Sequence, residues 1–223
     1  MRFATRPKNR RYDKIAYLTF DDGPSKYTNQ ILDILKRHNI KATFFVLGNT
    51  SSYGLKMYRK MKRLGHSIGN HTYSHHFNRI YRSPKAFFAD FYRMERLLQR
   101  VIGIRARLFR FPGGSNTKRG SITGGSRTMD SIKKELCSRG YLYCDWTIDS
   151  LDSSIPWPTP KQIIAKVLQE SRFQHKCIIL FHDFSDCGVL ALSAVIRGLK
   201  KQGYRFDRLS TRSYNYQIKE GGS

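Results

Sequence analysis

Short apolar runs alternate along this chain with longer segments whose apolar residues recur at helical spacing. Ile15-Ala16-Tyr17-Leu18 reads as a buried strand that continues into Thr19-Phe20-Asp21-Asp22 and ends at the turn Gly23-Pro24. Over 28–38, Ile31, Leu32, Ile34 and Leu35 fall on one helical face, with Thr28 as the candidate cap. A second strand is predicted over 41–47, a second helix over 55–64 and a short third strand over 66–69. The alternation then runs through a helix at 84–101, a strand at 108–111, a helix at 130–139 and a strand at 141–145. It closes with a helix at 161–169, the apolar strand 177–181, a helix at 188–202 and a strand at 204–206. This βαβαβ succession predicts an α/β fold with a parallel sheet or barrel. Its functional groups belong on loops at the C-terminal ends of the strands.

The chain has 223 residues, the size of one large α/β domain. Residues 1–13 read as a basic lead-in and 14–223 as the folded domain. Hydrophobic residues make up 39% of the chain, with 13 Tyr and 14 Phe as bulky fillers, enough for a sizeable core. No apolar run reaches the roughly 18 residues that would cross a bilayer, and the first 14 residues hold no apolar stretch of an export signal. The 113–125 segment, rich in Gly, Ser and Thr, reads as a loop.

Charge changes the picture most. Against 16 Asp and Glu stand 41 Lys and Arg, a formal net charge of +25. Such a surface concentrates anionic partners, whether nucleic acid, an acidic membrane leaflet or a polyanionic cell wall. The basic residues are scattered and form no long tract, so a solvated basic face accounts for most of them and no specific nucleic-acid site is expected. Cys137, Cys144, Cys177 and Cys187 show neither a C-x-x-C pair nor zinc-ribbon spacing, which leaves their redox state open.

The candidate chemistry sits where predicted strands end. Asp21 and Asp22 are adjacent carboxylates that disfavour one another's ionisation unless something positive lies beside them. On an extended segment their side chains diverge, so one can serve a metal and the other a proton or an arginine. An Asx turn around Gly23 is the alternative. His71 and His75 follow the third strand, and if that segment is helical they lie one turn apart on one face. With Asp22 they form a two-nitrogen, one-carboxylate set with coordination positions to spare, although such histidine pairs also occur by chance on surfaces. Arg110 could hold Asp21 ionised, and the backbone N–H of Gly113 could face developing negative charge. His182, at the mouth of the 177–181 strand, fits a general acid with a carboxylate behind it.

These residues lie in motifs that resemble the polysaccharide deacetylases, carbohydrate esterase family 4. The resemblance is carried by TFDDG (19–23), GNHTYSH (69–75), RFPGG (110–114), DWTIDSLD (145–152) and IILFHD (178–183), with KATFFVLG (41–48) and LKKQGYRF (199–206) in support. Their order matches the family over nearly the whole chain. The resemblance implies a distorted (β/α) barrel with a divalent metal at its C-terminal rim, Zn2+ first and Co2+ or Mn2+ as alternatives. It assigns Asp22, His71 and His75 as metal ligands, Asp21 as base, Arg110 as its orienting arginine, His182 as acid and Asp145 as the carboxylate that tunes this histidine. Asp183 receives a supporting role at most.

The activity implied is removal of N-acetyl groups from an amino-sugar polymer, peptidoglycan or chitooligosaccharide first, with release of acetate. O-acetyl xylan, a small N-acetyl compound, or an inactive glycan-binding member are the alternatives. The family works outside the cytoplasmic membrane, which implies an extracellular or envelope location, and the basic surface would suit anionic wall polymers. Two departures bear on substrate. Gly113 stands where many members carry an aromatic residue, and Ser153 stands where tryptophan is frequent, with Trp157 nearby in sequence as a substitute.

Overall fold

Everything in the domain is arranged about β1 (Lys14–Gly23), whose residues alternate between two apolar environments. Ala16, Leu18 and Phe20 pack into the layer of helices, whereas Tyr17 turns to the opposite face with Phe45, Leu108 and Ile178. Period-two alternation therefore sends Thr19 and Asp21 to the same inner face as Tyr17. The computed structural model describes residues 14–125 and 127–218. The basic lead-in expected over 1–13 lies outside the described residues.

The elements follow β1 in the order α1 (Thr28–Arg37), β2 (Thr43–Val46), α2 (Ser52–Arg63), β3 (Ser67–Asn70), α3 (Phe77–Ile80) and α4 (Pro84–Ile102). Then come β4 (Leu108–Phe109), α5 (Arg119–Gly124), α6 (Thr128–Ser138), β5 (Leu142–Tyr143) and β6 (Ile148–Asp149). The chain ends with α7 (Pro160–Ser171), β7 (Lys176–His182), α8 (Asp186–Lys201) and β8 (Tyr204–Asp207). All described strand pairs are parallel, in the order β5-β4-β3-β2-β1-β7-β6. β8 lies beside the first half of β1, from Lys14 to Tyr17, and β2 takes over from Thr19. The result is the curled sheet of a distorted (β/α) barrel.

Helix starts obey local chemistry. Ser51, Ser83 and Ser185 cap α2, α4 and α8 by accepting the N–H of Gly54, Ala86 and Gly188. α7 has a full capping box between Thr159 and Gln162, with Pro160 at its first turn. Thr28 is not the cap of α1. Tyr27 holds that position, and the Thr28 hydroxyl instead donates to Asp183 Oδ1 at 2.6 Å. The 113–125 segment is not all loop, since α5 forms within it, and β6 and α3 are elements the hydrophobic pattern does not announce.

A second core of rings fills the space between α4, α6 and the edge of the sheet, with Phe87, Phe91, Phe109 and Phe111 buried together. Edge-to-face contacts dominate it: the Phe109 and Phe111 centroids are 4.8 Å apart at 89°, and those of Phe91 and Tyr141 4.8 Å apart at 88°. The helix that carries this cluster, α4, also reaches the loop after β3.

Candidate active site

Asp21 and Asp22 end β1 with opposite aims because the pairing with β2 slips between Asp21 and Gly23 and Asp22 takes a left-handed φ of 70°. Such a bulge re-aims a side chain at a sheet rim. Asp21 stays on the inner face, where Arg110 Nη1 donates to its Oδ1 at 2.9 Å. Arg110 itself is wholly buried. It donates from Nε to Cys144 O (2.9 Å), from Nη1 also to Thr19 Oγ1 (2.7 Å) and from Nη2 to Asp145 O (3.0 Å), and it lies over the Phe45 ring at 4.3 Å. Burial pushes the Asp21 pKa up to about 6 even though Arg110 and His182 pull it down.

The loop after β3 carries both candidate histidines, but it is not helical. Thr72 and His75 have φ of 72° and 57°, and the chain is held by acceptors from elsewhere. Asn70 Oδ1 accepts the Thr72 N–H at 2.8 Å, and the buried Asp90 of α4 accepts those of Tyr73 (2.6 Å) and Ser74 (3.0 Å) through one oxygen. The histidines nonetheless converge. His71 Nε2 and His75 Nε2 each lie 3.4 Å from Asp22 Oδ1, with their rings 5.1 Å apart.

The donor set suits a divalent cation. His71 Nδ1 gives its proton to Arg110 O at 2.8 Å, which fixes the tautomer and leaves the Nε2 lone pair free. Burial, aided by His75, holds the His71 pKa well below that of a free imidazole, and burial lowers that of His75 as well. Asp22 Oδ1 is buried with no hydrogen-bond partner, a cost that a cation would remove. One ligand atom from each of the three residues lies within 4.8 Å of the others. Two neutral nitrogens and one carboxylate leave positions open for water and substrate.

On the other side, His182 ends β7 as the register partner of Asp21. Its Nδ1 lies 2.8 Å from Asp152 Oδ1, and its backbone N–H donates to Asp152 Oδ2 at 2.9 Å. Burial pulls the His182 pKa down, but the hydrogen bond and charge of the wholly buried Asp152 outweigh it, with Asp21 and Asp22 adding, and lift it to about 9. Asp152 thus replaces Asp145 as the carboxylate behind this histidine. Asp145 is turned to the loop after β4, where it accepts Ser115 N (2.9 Å) and Ser115 Oγ (2.5 Å), and Ile218 N at 2.9 Å. Both acids lie in loops just after short strands, β5 and β6, and the parallel pairing of β6 with β7 brings the second to His182.

The loop held by Asp145 contains Gly113, whose φ of 78° suits glycine. Among the described residues nothing accepts its N–H, whereas the next N–H, of Gly114, is tied to Phe111 O at 2.9 Å. A Cβ on Gly113 would come 3.0 Å from Phe77 Cε1, and the Phe77 ring stands edge-on to His75 with centroids 5.0 Å apart. Phe77 therefore lies where an aromatic side chain from position 113 would compete for space. Asp183 serves the scaffold: it accepts Ser25 N and the Thr28 hydroxyl, tying the loop after β1 to β7.

A parallel half-barrel whose C-terminal rim joins a cation-ready ligand set to a buried carboxylate and a carboxylate-backed histidine defines a class, the metal-dependent hydrolases. The comparisons place it more closely: the chain belongs to the polysaccharide deacetylase family, whose profile, Polysaccharide deacetylase, matches residues 8–122. A peptidoglycan-N-acetylglucosamine deacetylase of Bacillus cereus is 32% identical over 204 residues, covering 90% of this chain and 71% of that protein. A putative polysaccharide deacetylase of Bacillus subtilis is 34% identical over 201 residues, 87% of this chain and 66% of that one. Among solved structures, the catalytic domain of a peptidoglycan N-acetylglucosamine deacetylase from Eubacterium rectale superimposes with a TM-score of 0.90 at 34% identity, covering 94% of each chain. A polysaccharide deacetylase of Bacillus cereus gives a TM-score of 0.79 at 32% identity, covering 92% of this chain and 96% of that one.

Proposed function

We propose that this chain is a metal-dependent N-deacetylase of an amino-sugar polymer, with N-acetylglucosamine of peptidoglycan or chitooligosaccharide as its substrate class. The observation that carries the reading is the placement of the Asp22, His71 and His75 ligand atoms between Asp21, clamped by Arg110, and His182, backed by Asp152. Peptidoglycan is the substrate named for the Bacillus cereus and Eubacterium rectale relatives.

Asp22, His71 and His75 would hold one divalent cation, Zn2+ by the nitrogen-rich donor set. When bound, it supplies Lewis acidity to the acetamide carbonyl and lowers the pKa of water. Asp21, ionised and oriented by Arg110, takes the proton of the attacking water. The N–H of Gly113 faces the negative charge that develops on the carbonyl oxygen. His182 enters protonated and gives its proton to the sugar nitrogen, so the C–N bond breaks to an amine in place of a poor amide anion. Water and amide are consumed, and acetate and a free amino sugar are formed.

The enzyme would act in the cell envelope or outside the cell, where such polymers lie, and its +25 charge would favour approach to anionic wall polymers. No described helix is long and apolar enough to cross a membrane. The test is acetate release from N-acetylglucosamine oligomers and from peptidoglycan by metal-stripped protein, with and without added zinc. Zinc-dependent acetate is the expected result. No acetate from either substrate with zinc demonstrably bound would overturn the reading, and acetyl xylan and small N-acetyl compounds would then be the substrates to assay.

A further inference from the structure

β3 has a histidine at each end: His71 at the rim of the site, and His66 at the opposite end of the barrel, where a separate cavity of about 510 Å³ opens. Lys62, Arg105, Arg107 and Arg208 line that cavity together with His66, and no carboxylate does so among the described residues. Four cations around one concave space repel one another, and the nearby groups relieve this only in part. Lys62 Nζ donates to Ile102 O at 2.6 Å, while Arg105 donates from Nε to Tyr141 Oη (3.0 Å) and from Nη2 to Arg139 O (3.1 Å). Arg208 reaches Ser67 Oγ at 3.4 Å, and Asp207 beside it in sequence accepts the Arg208 backbone N–H. Arg107 has no ion pair among the described residues.

His66 supplies an independent pointer. It is 94% buried (6% exposed), and its Nδ1 accepts the backbone N–H of Ala42 at 3.1 Å. A backbone amide can only donate, so Nδ1 carries the lone pair and the neutral ring must carry its proton on Nε2. That Nε2–H has no protein acceptor among the described residues, and the ring lines the cavity. A ring donor that opens onto a cavity lined by cations is matched by an anion with several acceptor oxygens.

We propose that this cavity, remote from the deacetylase site, binds a phosphate group, held by Arg107, Arg208, Arg105 and Lys62 and accepting the Nε2–H of His66. Guanidinium groups match the tetrahedral oxygens in bidentate fashion, and the unpaired Arg107 supplies the contact most free to do so. The group could arrive as free phosphate or as a phosphate ester, which share this chemistry.

The experiment is a titration of the full chain with inorganic phosphate and with glycerol 3-phosphate at constant ionic strength. It is read by calorimetry and by the Nε2 resonance of 15N-labelled His66. Saturable binding that perturbs His66 is expected, weakened at least tenfold in Arg107→Glu/Arg208→Glu. Arg82→Glu/Lys85→Glu, the same charge change near the start of α4, should leave it intact. Deacetylase turnover on soluble oligomers should be unchanged in both double variants, which also shows that they fold. Tighter binding of one probe assigns the source as ester or free ion. No saturation by 10 mM of either probe, on the order of the weakest affinity worth calling a site, would overturn the proposal. So would an unmoved His66 signal, or equal weakening by both charge reversals, the mark of a diffuse field.

Discussion

Asp152 Oδ1 stands 2.8 Å from His182 Nδ1, and its other oxygen accepts the His182 backbone N–H, so a single buried carboxylate fixes both the position and the charge of this ring. His182 can protonate a leaving amine only while it holds its proton, and the charge of Asp152 helps to keep its pKa near 9. Asp152→Asn removes that charge and leaves burial to pull the pKa down. The basic limb of the pH–rate profile should therefore move to lower pH, with kcat reduced about 10- to 100-fold, less than the roughly 10²- to 10⁴-fold expected for losing the general acid itself. A profile of kcat on soluble oligomers whose basic limb stays in place would remove Asp152 as the tuning group.

Ligand and base variants should separate cleanly. Asp22→Ala and His75→Ala each delete one of the three converging ligand atoms, so zinc content and activity should vanish together. Asp21→Asn keeps all three and should retain zinc while turnover falls about 10²- to 10⁴-fold. Elemental analysis alongside the acetate assay decides it, and full zinc in either ligand variant would refute that assignment.

Arg110 makes four buried hydrogen bonds on the inner face of the barrel, one to Asp21 and the others to Thr19 Oγ1, Cys144 O and Asp145 O. Arg110→Met would leave the Asp21 carboxyl and two backbone carbonyls without their donor. Removing one partner of a buried ion pair costs about 3–5 kcal/mol, and urea unfolding should show a loss of that order. A loss below about 1 kcal/mol would mean that Asp21 is already neutral in the fold.

Much of this was legible along the chain because it depends on period and punctuation. The alternation of Ala16, Leu18 and Phe20 against Tyr17, Thr19 and Asp21 marks β1 and the face its carboxylate takes. What escaped depends on partners distant in sequence. The left-handed turns at Thr72 and His75 are set by the acceptors Asn70 and Asp90, and no local propensity predicts them, so a helical reading of His71 and His75 was the natural one. Asp152 follows β6, a strand of two residues that is too short for a periodic signal. The parallel register of β6 with β7 brings Asp152 to His182, and the loop after β4 turns Asp145 to Ser115 instead.

His66 gives the fold a pH dependence independent of catalysis. Burial, with Lys41 and Arg208 adding, lowers its pKa from 6.5 to about 4. The unfolded chain therefore binds more protons than the folded one between those values, and stability falls as pH drops through that window. A shift of this size, at about 1.4 kcal/mol per unit, corresponds to on the order of 3 kcal/mol, present in full above pH 6.5 and lost by about pH 4. His66→Asn places an amide oxygen where Nδ1 accepts the Ala42 N–H, and it does not titrate. Wild type and His66→Asn should accordingly converge in stability as pH falls from 7 to 4, measured by urea unfolding at each pH. Parallel curves would show that the His66 ring titrates alike in the folded and unfolded chain.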